Sequence, residues 1–193
     1  MNQIFQLKIE IQDIQPKIWR RLLVNSDSSF YTLHHILQIA FGWKNYHLFQ
    51  FDVNKKFIGL PDPDFDDDKT IAADKVQLKK ILALHKQFEY EYDFGDYWCH
   101  SIIVEDILPF DKDVSYPCCL DGSRNAPPED CGGSDGYNNL IKVLKSRKSA
   151  ARSELVEWLG GEGAYDPEYF DLKQINKQLA ALDTYIRKYE KEA

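Results

Sequence analysis

The chain has 193 residues, 44% hydrophobic and 13% aromatic, with a formal net charge of −7 and a pI near 5.2. That apolar content supports a packed core and excludes wholesale disorder, and the length fits one domain over 1–193. The acidic balance argues against nucleic acid as a partner, because such binding is driven by counterion release at a basic surface.

Ile4, Leu7, Ile9 and Ile11 open a strand, the last three in alternation. Pro16 interrupts it, and residues 18–24 resume as a second strand. Leu33, Ile36, Leu37, Ala40 and Phe41 share one face of a helix, with Gly42 where a C-terminal cap belongs. Leu48 begins another alternating strand. Residues 61–70 read as a solvated acidic loop, since they lack the central Gly and distal Glu of a calcium-binding loop. A short helical piece near 78–82 precedes a β-hairpin. The C-terminal third is helical. Ser134 is placed to cap a helix through Tyr137, Leu140, Ile141 and Leu144. A second helix carries Leu155, Val156, Trp158 and Leu159 and ends at Gly160-Gly161. Asp166-Pro167 reads as an N-cap and first helical residue, opening a helix with Leu172, Ile175, Leu179, Leu182 and Ile186 on one face. The predicted class is α+β: a mostly antiparallel sheet with β-hairpins, helices packed on one face, and a helical, charged tail at 181–193. Lys142, Lys145, Arg147, Lys148 and Arg152 read as a solvated helix end and loop.

The first ten residues lack the apolar run of a signal peptide, and no stretch approaches the roughly 18 apolar residues of a membrane span. The expected location is cytoplasmic, without a membrane partner. The four cysteines are expected there as thiols rather than disulfides.

The hairpin is the densest stretch of chemistry. Phe88, Tyr90, Tyr92 and Phe94 alternate with Glu89, Glu91 and Asp93; Trp98, His100, Ile102 and Val104 alternate with Tyr97, Cys99, Ser101 and Ile103. A two-residue turn at Gly95-Asp96, with Gly supplying positive φ, sets Phe94 against Tyr97, Asp93 against Trp98 and Glu91 against His100. The acidic residues then share a face with Trp98 and His100, and Glu91 is expected to raise the His100 pKa. A four-residue turn keeps that partition, and a three-residue turn breaks it.

Cys118, Cys119 and Cys131 lack the paired spacing of a zinc site, so no cofactor is expected. Zinc remains the metal to test, with His100, Cys119 and Cys131 as weak ligands. Gly132-Gly133 reads as a tight turn. No Walker loop, dinucleotide fingerprint or nucleophile elbow occurs, which removes the usual support for those chemistries.

The runs Ile14-Gln15-Pro16-Lys17-Ile18-Trp19-Arg20-Arg21, Leu33-His34, Gln38-Ile39-Ala40-Phe41-Gly42-Trp43, His47-Leu48-Phe49-Gln50-Phe51, Tyr92 to His100 and Pro127-Pro128-Glu129-Asp130-Cys131-Gly132-Gly133 stand in an order and spacing that closely resembles the Ri-plasmid ORF-three-like family. The resemblance covers about 3–180. It implies a compact α+β domain of unknown activity; members include a passenger protein of a bacterial insertion element. Members often carry a cysteine before the Pro-Pro-Glu-Asp run, where this chain has Ala126, so a metal site using that cysteine would be incomplete. The family pattern also draws attention to His34, Gln38, Trp43 and His47. One of Arg20 and Arg21 is expected to turn inward against an acid such as Asp93, Asp96 or Glu129.

The ligand-binding candidates are His34, Trp43, His47, Asp93, Asp96, Trp98, His100, Glu129 and Asp130. Three readings compete. The first is a non-catalytic domain that binds a protein, peptide or small ligand. The second is a metal-dependent or hydrolytic enzyme centred on His100 and nearby carboxylates. The third is an accessory protein of mobile-element DNA transactions.

Overall fold

The computed structural model describes residues 3–61 and 70–192. Residues 62–69, most of the acidic loop, lie outside it. Strands β1 (Gln3–Ile11), β2 (Trp19–Asn25), β3 (Phe49–Val53), β4 (Lys56–Gly59), β5 (Ile71–Ala72), β6 (Gln87–Tyr92), β7 (Trp98–Pro109) and β8 (Cys118–Ser123) form an eight-stranded sheet in the order β5-β4-β3-β6-β7-β1-β2-β8. Among the described residues, only the β4–β5 pair is parallel. The α+β expectation holds.

Period-two alternation decides which face is buried. Phe5, Leu7, Ile9 and Ile11 of β1, Phe49, Phe51 and Val53 of β3, and Phe88, Tyr90 and Tyr92 of β6 all point into one core. Withdrawing each such side chain from water contributes about 1.5–3 kcal/mol. Helix α1 (Phe30–Phe41) covers this face. Phe30 meets Phe51 and Phe88 edge-on, His34 stacks on Phe49, and Phe41 meets His100. Ser29 caps α1 through Thr32 N, and Gly42, at φ 77°, ends it as expected. The opposite face is solvated and carries ion pairs such as Arg21 with Glu105 at 2.6 Å. Alternation puts Glu105 on that face, and a bulge opposite Gln6 and Leu7 leaves it without a pairing partner in β1.

Helices α2 (Leu78–Leu82), α3 (Gly133–Lys145), α4 (Ala150–Trp158), α5 (Leu172–Leu179) and α6 (Leu182–Glu192) complete the described elements. Three sequence expectations need correction here. Helix α3 begins a residue before Ser134; its cap position is Gly132, left-handed at φ 89°, with no side-chain cap. Asp166 does not start a helix. Its side chain bonds Glu168 N at 2.9 Å in a local turn, and Asp171 caps α5 instead through Gln174 N. The predicted final helix is two, because Ala180 closes α5 and the chain restarts at Leu182.

Arg20 is the inward arginine, but among the described residues no carboxylate meets it. Its guanidinium donates to the carbonyls of Ala40 (2.8 Å), Trp19 (2.8 Å), Ser123 (3.0 Å) and Arg124 (2.8 Å). It also lies over the rings of Phe41 and Phe170, 5.0 and 4.9 Å from their centroids. Backbone dipoles, including the carbonyl end of α1, replace the expected acid. Burial lowers its pKa to about 10, with the Cys119 thiol acting in the opposite direction. Gly122 allows this packing, since a Cβ there would lie 2.6 Å from the Phe170 ring.

Candidate functional site

The hairpin between β6 and β7 turns through five residues, Asp93 to Tyr97, rather than two. Asp93 and Tyr97 supply the positive φ values, 61° and 58°; Gly95 does not. Asp93 Oδ1 accepts from Gly95 N (2.9 Å) and Asp96 N (3.3 Å), and Tyr97 N closes the loop on Asp93 O at 2.6 Å. The odd loop length shifts the pairing by one. Tyr92 faces Trp98, Glu91 faces Cys99 and Tyr90 faces His100. Trp98 and His100 therefore belong to the buried aromatic face, while Glu89 and Glu91 share the outer face with Cys99 and Ser101.

This shift removes His100 and Trp98 from any accessible site. His100 is fully buried and donates from Nδ1 to Trp98 O (2.9 Å) and Tyr90 O (3.2 Å). Burial lowers its pKa to about 4, the reverse of the expected rise. The ring is closed to solvent, which removes the support that the reading of an enzyme centred on His100 drew from an accessible imidazole. His100 also does not join Cys119 or Cys131. Cys119 is buried with its thiol on Asp121 O, and burial lifts it to about 11; the Cys131 thiol is pushed up to about 12, mainly by burial and next by Asp96.

His34 is internal too. Gln38 donates to Tyr90 Oη (3.1 Å), Tyr90 Oη lies 2.8 Å from His34 Nδ1, and His34 Nε2 lies 2.6 Å from Asn45 Oδ1. A neutral ring with its proton on Nε2 satisfies all three contacts. Burial, followed by repulsion from His35, lowers the His34 pKa well below its ordinary value, against a smaller rise from Asn45. Burial also lowers His35, to about 4.

The remaining candidates converge where three loops meet at one end of the sheet. After Gly42, the chain 43–48 leaves α1 and passes beneath the loop 127–133. Trp43 joins them: its buried ring stacks on Tyr92 at 5.0 Å, and Nε1 donates to Pro127 O at 2.9 Å. Glu129 is a brace. Its carboxylate accepts Lys44 N through both oxygens (3.1 Å each) and Tyr92 Oη at 2.7 Å, while Tyr92 Oη accepts Tyr46 N at 3.1 Å. Asp96 ties in the hairpin by accepting Gly132 N at 3.0 Å. The approach is close: a Cβ at Gly133 would lie 2.5 Å from Asp96 O.

Inside this frame stand His47, Asp93 and Asp130. His47 Nε2 is 3.5 Å from Asp93 Oδ2 and 3.3 Å from Asp130 Oδ1. Among the described residues, these three form a cluster whose ligand-capable atoms all lie within 4.8 Å of one another. Neither contact has hydrogen-bond geometry, and His47 Nε2 is sealed from solvent without a partner. Asp93 is 8% exposed at its side chain and Asp130 is 70% exposed, so the cluster has a buried side and an open side. Asp130 also borders a cleft of about 550 Å³, lined by Trp43, Lys44, Tyr46, Pro127 to Asp130, Trp158, Leu159 and Tyr165.

Of the sequence candidates, the structure joins His47, Asp93 and Asp130, uses Trp43, Asp96 and Glu129 to hold them, and buries His34, Trp98 and His100. Tyr92, Lys44, Tyr46 and Trp158 were missed. Tyr92 carried a signal in its alternation with Glu91 and Asp93. Trp158 carried none, since only the fold brings α4 to the cleft.

The fold and site define an α+β protein with a polar cluster and cleft at the loop end of a mostly antiparallel sheet. The chain belongs to the family of plasmid pRiA4b ORF-3-like proteins, whose model matches residues 3–174. It is 33% identical over 192 residues to the uncharacterized protein y4hQ of Sinorhizobium fredii (strain NBRC 101917 / NGR234), covering 98% of this chain and 96% of that protein. A crystal structure of protein of unknown function MM3350 from Methanosarcina mazei Go1 superposes with a TM-score of 0.81 at 37% identity, covering 90% of this chain and 97% of the other. These relatives carry no described activity. Among the described residues, no helix is long and apolar enough to cross a membrane.

Proposed function

We propose that this protein is a non-catalytic, cytosolic binding domain that holds a peptide segment or small ligand in the cleft between Trp43–Tyr46, Pro127–Asp130 and Trp158–Tyr165. One observation carries the reading. The cleft is the place where rigidly braced loops, exposed aromatic rings and both signs of charge meet. Tyr46 and Trp158 are exposed at 72% and 52% and offer stacking surfaces. Lys44 and Asp130 offer a cation and an anion, and the Glu129–Tyr92–Trp43 bracing fixes the wall before any ligand arrives.

The chemistry favours a ligand with one flat or apolar group and polar ends, rather than a nucleic acid, whose phosphates the net charge of −7 would repel. The test is an amide NMR titration of the full chain with a panel of short peptides carrying an aromatic residue beside an acidic, basic or neutral one. Selective shifts at residues 43–46, 127–130 and 158–165 are expected, weakened about fivefold or more by Trp158→Ala, the loss of roughly 1 kcal/mol of stacking. Shifts confined to other surfaces, or none at millimolar peptide, would remove the cleft as the binding site.

A further inference from the structure

We propose that His47, Asp93 and Asp130 form a binding site for a divalent cation of the manganese or zinc type. The site stands on its own geometry, whatever occupies the neighbouring cleft.

The spacing supports it. Ligand atoms about 2.1 Å from a metal are about 3.0 Å apart along an octahedral edge and about 3.4 Å apart along a tetrahedral one. His47 Nε2 lies 3.5 and 3.3 Å from the two carboxylate oxygens, so both nitrogen–oxygen separations match a tetrahedral edge and need only a small contraction to reach an octahedral one. These contacts lack hydrogen-bond geometry, and Nε2 is a buried polar atom without a partner. Such an atom is costly to leave unsatisfied. A cation between the three groups would accept its lone pair and offset the two facing carboxylate charges together.

The frame is suited to that task. Asp93 keeps Oδ1 on the backbone amides of Gly95 and Asp96, which aims Oδ2 at His47. The orientation of this ligand is thus set by the hairpin rather than by the ion, as the outer partners of metal ligands do elsewhere. Asp130 sits at a left-handed φ of 59° beside Glu129, whose own carboxylate is committed to Lys44 N and Tyr92.

Ligand chemistry narrows the ion. One imidazole and two carboxylates suit borderline divalent metals, whereas calcium takes six to eight oxygens and soft ions take thiolates. Three protein ligands leave coordination positions free. Asp130 lies on the cleft wall, so the free positions would take an oxygen donor, such as a carboxylate or phosphate, from a molecule bound there.

The experiment uses the full chain stripped with a chelator and then titrated with Mn²⁺, which discriminates against the four thiols. Calorimetry should give one equivalent bound. Paramagnetic broadening in the amide spectrum should centre on residues 46–48, 92–97 and 129–132. Asp130→Asn and His47→Gln should each weaken binding by about ten- to a hundredfold, with Cys131→Ser as the unaffected control and circular dichroism confirming that each variant is folded. No binding at millimolar Mn²⁺, undiminished binding in both variants, or broadening centred elsewhere would overturn the site. Because the probe is the metal alone, these results are independent of whether a peptide enters the cleft.

Discussion

Two polar regions lie side by side on the same strands and loops, and they are built on opposite plans. In the interior, His34, His35, His100 and Arg20 are taken out of water and meet only neutral partners (a phenol, amides and backbone carbonyls), with Nε2 of His35 and of His100 left unpartnered in apolar surroundings. At the loop end, His47 faces two carboxylates, and one of those carboxylates is open to solvent. Trp43 belongs to both regions, meeting His100 edge-on at 5.3 Å and bonding Pro127 O. The difference teaches that a buried histidine is here a structural group, held neutral by desolvation. The histidine free to act is the one left between charges at the edge.

The largest effect should come from the most closed part of the interior. Arg20→Met keeps much of the side-chain volume but strands four carbonyl oxygens, so stability should fall by about 3–5 kcal/mol. Urea unfolding at pH 7 measures it. A loss below about 1 kcal/mol would mean that water replaces the guanidinium, and the interior would be less closed than the contrast requires.

The buried imidazoles should show next, as a pH dependence. Their folded pKa values lie below the 6.5 of an unfolded histidine; His35 and His100 are both near 4. Above pH 6.5 both states are neutral, and this contribution to stability is fully present. As pH falls from 6.5 toward 4, the unfolded chain binds protons that the folded chain refuses, so stability is lost. For His100 alone the window is worth on the order of 3 kcal/mol. The carboxylates lowered by arginine partners, Glu105 by Arg21 and Glu168 by Arg124, act in the same direction but only as pH falls through and below about 4.5. Chemical unfolding at pH 7, 6 and 5 isolates the histidines. Stability that stays flat across that range would show that these rings are not sealed.

How much of this contrast could be read from the sequence depends on which contacts are local. Alternation assigned Phe88, Tyr90 and Tyr92 to one face of their strand and Trp98, His100 and Ile102 to one face of theirs, and both assignments hold. What failed was the joint between them. The expectation gave Gly95 the positive φ, but Asp93 and Tyr97 adopt it, and a loop of odd length exchanges the partners. That single residue moved His100 from a presumed site into the core. The helix α1 and its Gly42 cap were legible because hydrophobic spacing and a capping residue sit within a few positions. That one of Arg20 and Arg21 turns inward was legible, but not which one or its partners, because Ser123 and Arg124 reach Arg20 only through the β2–β8 pairing. His47, Asp93 and Asp130 were each candidates, yet nothing local links three residues from three separate loops.

The smallest stability effect should fall at the edge, and there the comparison is most sharply tested. Asp130 is 70% exposed at its side chain, and its left-handed φ of 59° is one that asparagine also tolerates. Asp130→Asn should therefore leave urea stability, measured without metal, within about 0.5 kcal/mol of the parent. Glu129, its neighbour, holds Lys44 N and Tyr92 Oη together and belongs to the frame. If Asp130→Asn instead cost more than about 1 kcal/mol, Asp130 would be a second brace like Glu129, and the open carboxylate would be structural. A near-silent change in stability leaves the charge of Asp130 without a folding role. Between a sealed, unpartnered imidazole nitrogen and an open cleft, such a charge is placed to act on what binds there rather than on what folds.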